Sequence, residues 1–275
     1  MSRTILRGRV LTFLDEPQAI DDSASYRYIE DGAITIEHGR IVAVGDYVPE
    51  AGADVIDHRP HLILPGFIDM HLHYVQSQVI ASYAGSLLEW LNTYTFVEEQ
   101  KFSRQGHAGV VASAFYDELI RNGTTTAVAY CSSHPASVDA YFAEAAKRNM
   151  LMVGGKVMMD RNAPAALCDT AQSSYDHTKM LIERWHGQGR GLYAISPRFA
   201  ITSTPAQLEA ARALAAEHPD CYVQTHLSEN DAEITYSMEL YPGSPDYTGI
   251  YEDYGLLGSR TLLGHAIHLN HREAA

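Results

Sequence analysis

Two histidines stand two residues apart near the end of an apolar segment, PGFIDMHLH, which spans residues 65–73. Alternate residues of a β-strand project from the same face, so Asp69, His71 and His73 share one side of this predicted strand. Two imidazoles at this spacing can bind one metal ion. The alternative is a pair of solvent-facing histidines, but the apolar strand and its Pro-Gly entry favour a metal site.

A third imidazole and a carboxylate occur together in QTHLSE, residues 224–229. His226 lies near the end of a predicted strand, and Glu229 lies just past it. His226 could complete a metal triad, and Glu229 beside a metal-activated water could carry protons. The alternative is a core histidine followed by a glutamate that caps a helix.

Two further segments carry polar groups at predicted strand ends. In GHAIH, residues 264–268, His265 and His268 need not point the same way, so one can be catalytic and the other structural, or both can be structural. In PRF, residues 197–199, Arg198 could donate a forked pair of hydrogen bonds to the edge of a planar polar ring. The alternative there is a surface arginine beside a core phenylalanine, Phe199.

The elements that must position these side chains follow from the residue pattern. Residues 1–64 are rich in β-forming types, and the alternation on either side of His38-Gly39 predicts a hairpin. Beyond residue 65, predicted strands alternate with helices, which indicates a parallel sheet. Strands are predicted at 67–73, 124–130, 151–159, 192–201, 222–227 and 261–269, and helices at 105–121, 137–148 and 174–185, with another starting at Pro205 behind a Thr204–Gln207 capping box.

Six successive units favour a (β/α)8 TIM-type barrel over an open sheet, and there is no early GxGxxG motif of a dinucleotide-binding sheet. Strand ends of a barrel converge on one face, so the polar segments would meet there. We therefore expect an α/β chain with a small, β-sandwich-like domain at 1–64 and an incomplete barrel at 65–275. Because a barrel has about eight units, the chain is expected to stop about two units short.

The composition limits the kinds of partner. The chain has 34 acidic and 20 basic residues and a net charge of −14, which disfavours binding to nucleic acid or to anionic membranes. Its three cysteines have no paired spacing, so neither a disulfide framework nor a cysteine-rich zinc site is expected. No signal-peptide core or membrane span is found, which predicts a cytoplasmic protein.

Taken together, these segments resemble the amidohydrolase superfamily, and within it the guanine deaminase family. The resemblance rests on residues 65–102 and on the runs LLEWLNTYTF, NGTTTA, GKVMMD, PRF, THLSEN and LYPGSPDYTGIYEDYGLL, which follow in order through the chain after Pro65. The β-rich start is similar to the small accessory domain of that family. The resemblance implies a barrel that holds one Zn²⁺ ion per chain, with Fe²⁺ as the alternative.

The resemblance also assigns roles to residues at the matching positions. The implied metal ligands are His71, His73 and His226. Glu229 would be the proton shuttle, and His265 would orient or polarise the attacking water. The purine would be held by Gln76, Arg198 and Phe199, with Trp90 as part of the pocket wall. The expected reaction is hydrolysis of guanine to xanthine and ammonia. Family members often form homodimers, so the resemblance implies a homodimer.

One departure from the family pattern bears on these expectations. The superfamily uses a further aspartate ligand from the eighth strand, and no aspartate follows His265 here. Asp69 is too close to the two histidines to replace it. Two alternatives therefore stay open: a deaminase of another purine, a pterin or a pyrimidine-like ring, and an inactive fragment. The zinc deaminases with a Pro-Cys-x-x-Cys signature are disfavoured, since no such cysteine pair occurs.

Overall fold

The computed structural model describes residues 3–275, which form two units that meet in sequence between Gly66 and Phe67. The first unit is a mixed four-stranded sheet in the order β3-β2-β1-β4. Its strands are β1 (Thr4–Phe13), β2 (Tyr26–Glu37), β3 (Arg40–Asp46) and β4 (Asp54–Ile63).

The predicted hairpin is confirmed in this first unit, because β2 and β3 pair antiparallel around a turn in which His38 and Gly39 have φ values of 51° and 72°. β1 pairs antiparallel with β2 and parallel with β4. A small apolar core joins Val10, Ile29 and Ile34. Where a sandwich-like domain was expected, residues 3–66 form this one sheet.

The second unit contains the predicted parallel sheet. Its strands are β5 (Phe67–His73), β6 (Thr124–Tyr130), β7 (Leu151–Gly155), β8 (Val157–Met158), β9 (Gly191–Pro197), β10 (Tyr222–Leu227) and β11 (Thr261–His265). The order is β5-β6-β7-β9-β10-β11, with β8 paired to β9, and every pairing is parallel. The expected TIM-type α/β fold is thereby confirmed, and residues 67–275 contain six successive strand units of it.

Helices follow the strands, and several begin at side-chain caps. They are α1 (Leu87–Trp90), α2 (Phe96–Glu99), α3 (Gln105–Arg121), α4 (Pro135–Arg148), α5 (Ala171–Trp185), α6 (Pro205–Glu217), α7 (Asp231–Leu240) and α8 (Tyr247–Asp253). Thr170 and Asn230 form capping boxes at α5 and α7. α4 ends at Asn149, whose φ of 52° stops the helix.

Several local predictions differ from the structure. The strand expected at 151–159 divides at Lys156, and the strand expected at 261–269 ends at His265, because His265 and Ala266 leave the extended region with φ values of 69° and 52°. The capping box at α6 is half formed. The Thr204 hydroxyl accepts from the backbone amide of Gln207. The backbone amide of Thr204, however, donates to the Asp160 carboxylate and not to the Gln207 side chain.

The sheet curves until its end strands approach each other. A Cβ atom on Gly264 in β11 would lie 2.5 Å from Cε1 of His71 in β5, although these strands stand at opposite ends of the pairing order. This curvature directs the carboxyl ends of the strands toward one point. None of the helices formed by residues 3–275 combines the length and apolar composition needed to cross a bilayer.

Candidate active site

A cleft of about 280 Å³ opens where the strands end. The cleft is lined by every site residue that the resemblance assigns and by three leucines. The assigned residues are His71, His73, Gln76, Trp90, Arg198, Phe199, His226, Glu229 and His265, and the leucines are Leu72, Leu87 and Leu91. His268 is exposed and is not part of the lining, so the structure separates the two histidines of the GHAIH segment.

Three imidazoles form a compact cluster in the cleft. One ring nitrogen from each of His71, His73 and His226 lies within 4.8 Å of the others. The Nε2 atoms of His73 and His226 are only 2.9 Å apart, and Nδ1 of His73 is buried without a hydrogen-bond partner among residues 3–275. Ring nitrogens that converge in this way are better arranged to bind a shared cation than to contact each other directly.

Burial keeps these imidazoles neutral. It lowers the pKa of His73 and His226 well below the ordinary value, with neighbouring histidines and Arg198 acting in the same direction. Burial, with a smaller effect of His265, lowers the pKa of His71 to about 4. Each ring therefore carries a free lone pair at neutral pH, as a metal ligand must.

The surrounding protein orients His226 and His73. Nδ1 of His226 lies 2.7 Å from the carbonyl oxygen of Arg198, so Nδ1 carries the proton and Nε2 is left as the ligand atom. The Tyr130 ring stacks on both His73 and His226, with centroid distances of 4.6 and 4.4 Å. These contacts hold the two rings nearly parallel.

Gly264 makes room for His71. A Cβ atom at this position would lie 2.5 Å from Cε1 and 2.8 Å from Nδ1 of that ring. Sequence reasoning gave this glycine no role. The signal was a glycine inside a strand, which often marks a close approach by another group.

Glu229 and His265 form a pair in the lining of the cleft. Oε2 of Glu229 and Nε2 of His265 are 3.4 Å apart. Burial raises the pKa of Glu229, although Arg198 opposes the shift, and burial lowers the pKa of His265. Ser228 and His265 have positive φ values of 49° and 69°, and backbone strain of this kind costs about 1–3 kcal/mol per residue and is concentrated at functional sites.

Arg198 is held by a carboxylate that sequence reasoning missed. The arginine is 2% exposed, which excludes the surface alternative. Its Nη1 donates to both oxygens of the fully buried Glu99, at 3.0 and 2.8 Å, and Nε2 of Gln76 donates to Oε1 of Glu99 at 3.1 Å. The local sequence VEEQ does not distinguish Glu99 from Glu98, so only the tertiary structure identifies it.

Aromatic side chains close the cleft. Phe199 is buried, and its ring centroid lies 6.4 Å from that of His226. Trp90 donates from Nε1 to the carbonyl oxygen of Ser82 at 3.1 Å, which fixes its indole against the loop before α1. Flat walls of this kind suit a planar ring.

Another group with metal-ligand atoms, His186, Asp220 and Cys221, lies outside this cleft. Nδ1 of His186 accepts from the Tyr193 amide at 3.0 Å, so the ring proton is on Nε2, which faces Asp220 at 3.1 Å. Burial also raises the pKa of Cys221 to about 12. The ring and the thiol are therefore both protonated, and this group is poorly suited to a metal.

Comparisons with known proteins agree with this geometry. Residues 62–275 match the model of the amidohydrolase family. The guanine deaminase of Escherichia coli K12 is 45% identical over 272 residues, which are 95% of this chain and 62% of that protein.

Solved structures show the same likeness. A guanine deaminase from Bradyrhizobium japonicum superposes with a TM-score of 0.96 at 38% identity, over 99% of this chain and 60% of that one. A guanine deaminase from C. acetobutylicum with guanine bound in its active site has a TM-score of 0.89 at 29% identity, over 99% of this chain and 64% of that one. The chain thus spans a little over three-fifths of the length of these relatives.

Proposed function

Because the chain belongs to the amidohydrolase family, we propose that the protein hydrolyses guanine to xanthine and ammonia. The observation that carries the proposal is the meeting, in one cleft, of three neutral imidazoles, a carboxylate paired with His265, and a buried arginine beside a glutamine amide. The likeness to the Escherichia coli guanine deaminase at 45% identity supports guanine as the substrate.

One zinc ion would be held by His71, His73 and His226, with iron(II) as the alternative metal. The convergence of their ring nitrogens within 4.8 Å supports this ligand set. When bound, zinc supplies the Lewis acidity that makes water nucleophilic near neutral pH.

Glu229 is the proton carrier in this proposal. It accepts one proton from the attacking water and delivers it to a ring nitrogen of guanine. It then carries the second proton from the new hydroxyl group to the amino group, so that the C–N bond breaks, ammonia leaves and the carbonyl of xanthine forms. Burial raises the pKa of this carboxyl, and a general acid–base works best when its pKa approaches the working pH. His265, 3.4 Å from Glu229, orients the water and stabilises the negative charge that develops on it.

Arg198, Gln76, Phe199 and Trp90 hold the purine in place. The guanidinium and the amide offer hydrogen bonds to the ring edge, and the two aromatic side chains enclose its faces. Positioning of a reactant in this way can supply several of the roughly 7–11 kcal/mol available from proximity and orientation.

We further propose a cytoplasmic homodimer that acts in purine catabolism, with residues 1–64 as an accessory domain and 65–275 as the hydrolase domain. The free cysteines Cys131, Cys168 and Cys221 support a reducing compartment. The net charge of −14 favours a small-molecule substrate over nucleic acid. The homodimer rests on the resemblance to the family.

Ammonia release from guanine is the decisive measurement. We expect release by the zinc-loaded protein, loss of release after chelation, and slower release from adenine, cytosine and a pterin. Faster release from one of those rings would replace guanine as the substrate. Release that survives complete removal of metal would overturn the role of zinc.

A further inference from the structure

We propose that Glu99, at the end of α2, is a positioning residue that makes the cleft select rings with a lactam edge, in which a carbonyl lies next to an N–H. The inference rests on the proposed function, since it concerns how the same cleft chooses its purine. Among residues 3–275, the hydrogen-bond partners of the Glu99 carboxylate are Gln76 and Arg198, and they include neither the three imidazoles nor Glu229. Its effect is transmitted through Gln76 and Arg198.

Glu99 sets the orientation of the Gln76 amide. A carboxylate only accepts hydrogen bonds, so the amide nitrogen of Gln76 must face Glu99, as it does at 3.1 Å. The amide oxygen of Gln76 is then turned away from Glu99. Because Gln76 lines the cleft, this oxygen is available as an acceptor for an N–H group of a ligand.

Glu99 also fixes Arg198. Both carboxylate oxygens of Glu99 accept from Nη1 of Arg198, and the guanidinium carbon lies 5.3 Å from the ring centroid of Phe96. These two contacts limit rotation of the guanidinium group. Within residues 3–275, Nε and Nη2 have no hydrogen bond, so the fork retains donors for a ligand. A ring carbonyl is a suitable acceptor for them.

The arrangement joins separate parts of the barrel. Gln76 lies in the turn after β5, Glu99 ends α2, and Arg198 follows β9. The backbone of Glu99 is itself held by Ser132 after β6, whose hydroxyl donates to the Glu99 carbonyl at 3.0 Å. A carboxylate that only neutralised Arg198 would not require the hydrogen bond to Gln76, so the three side chains act as one unit.

This unit distinguishes two kinds of ring edge. A lactam places a carbonyl at the donors of Arg198 and an adjacent N–H at the oxygen of Gln76. A ring without the lactam presents a bare nitrogen lone pair to the Gln76 oxygen and leaves the arginine donors without an acceptor. Loss of a hydrogen bond to a charged group reduces affinity by roughly 10- to 150-fold.

Hypoxanthine and purine provide the test. They differ in the lactam edge, and both lack the amino group, so neither is deaminated and binding can be measured without turnover. Titration calorimetry on the zinc-loaded protein with its full natural chain should give a Kd for hypoxanthine at least about 30-fold below that for purine. In Glu99→Gln the ratio should fall to about 3-fold, because a neutral amide at 99 can donate or accept and lets Gln76 turn.

Glu98→Gln is the matched control. Glu98 is the neighbouring buried carboxylate, but it pairs with Lys101 and has no hydrogen bond to Gln76 or Arg198, so this variant should keep the wild-type ratio. Gln76→Met is a second variant that leaves the buried ion pair intact, and it too should lose the preference for hypoxanthine. If Glu99→Gln does not fold, Gln76→Met still tests whether the preference for hypoxanthine requires the amide that Glu99 orients.

Three outcomes would overturn the inference: a wild-type protein that binds both rings equally, a folded Glu99→Gln that keeps the preference, or a Gln76→Met that keeps it. Ammonia release from guanine by the wild-type protein is measured in parallel. A protein that prefers hypoxanthine but does not deaminate guanine contradicts the proposed function and leaves the role of Glu99 standing.

Discussion

Glu229 lines the cleft together with the three clustered imidazoles, 3.4 Å from His265. Burial raises its pKa, so its carboxyl exchanges protons closer to neutral pH than an exposed glutamate would. Its position depends on Ser228, whose positive φ of 49° turns the chain at the end of β10. The side chain is thus placed for proton transfer by local backbone geometry.

Glu229→Gln should reduce guanine turnover by more than about 100-fold, because an amide cannot carry the proton. Zinc content should be unchanged, since Glu229 is not among the clustered ligands. Steady-state ammonia release and metal analysis measure the two effects. Glu239→Gln, an exposed glutamate on α7, is the control and should behave as wild type. Undiminished turnover in Glu229→Gln would remove Glu229 from the mechanism.

A buried ion pair lies at the break between β7 and β8. Lys156 is fully buried at this break and is paired with Asp169, which also accepts from Ser174 at the start of α5. Gly155 next to it cannot carry a side chain, because a Cβ atom would lie 1.9 Å from the Ala194 carbonyl oxygen. The ion pair, with the Ser174 hydrogen bond, therefore connects the start of α5 to the segment between β7 and β8.

Lys156→Met should lower the free energy of unfolding by about 3 kcal/mol, because it leaves Asp169 buried without its partner. Urea denaturation followed by tryptophan fluorescence measures this in the barrel unit, since both tryptophans, Trp90 and Trp185, lie there. The control is Lys179→Met, which removes the exposed pair with Glu217 and should cost less than about 1 kcal/mol. Equal losses in the two variants would show that the buried pair has no special role.

The cluster of three imidazoles links distant parts of the chain. His71 and His73 lie on β5 and His226 lies on β10. A metal ion bound there would join His73 to a residue 153 positions later in the sequence. A ligand that binds only the folded state stabilises it by about 4 kcal/mol at a thousandfold excess over its Kd. Metal binding should consequently be coupled to the stability of the whole barrel.

Zinc should raise the Tm of the metal-free protein, and chelation should reverse the shift. His226→Ala should abolish the effect of zinc on Tm because it removes one of three ligands. His268→Ala, which changes an exposed histidine outside the cleft, should retain it. Differential scanning calorimetry of the three proteins decides the matter, and an undiminished zinc effect in His226→Ala would exclude the proposed ligand set.

The sequence by itself predicted the six strand units and the long helices between them in the observed order, although it did not predict the break between β7 and β8. Strand-forming residue types, β-branched runs and the helical spacing of apolar residues are local signals, and they placed β5, α3 and β6 at the bounds that the structure has. The HxH spacing also predicted which histidines share a face of β5. The convergence of strand ends in a barrel then brought His226, Glu229 and His265 to the same cleft.

Only the tertiary structure decided the contacts on which selectivity and geometry depend. Glu99 and Arg198 are 99 residues apart, and no local pattern indicates that one neutralises the other. The need for glycine at 264 arises from the ring of His71 on a strand at the opposite end of the sheet. Burial, close approach and the pairing of charges depend on distances through space, whereas propensity and periodicity act over only a few neighbouring residues.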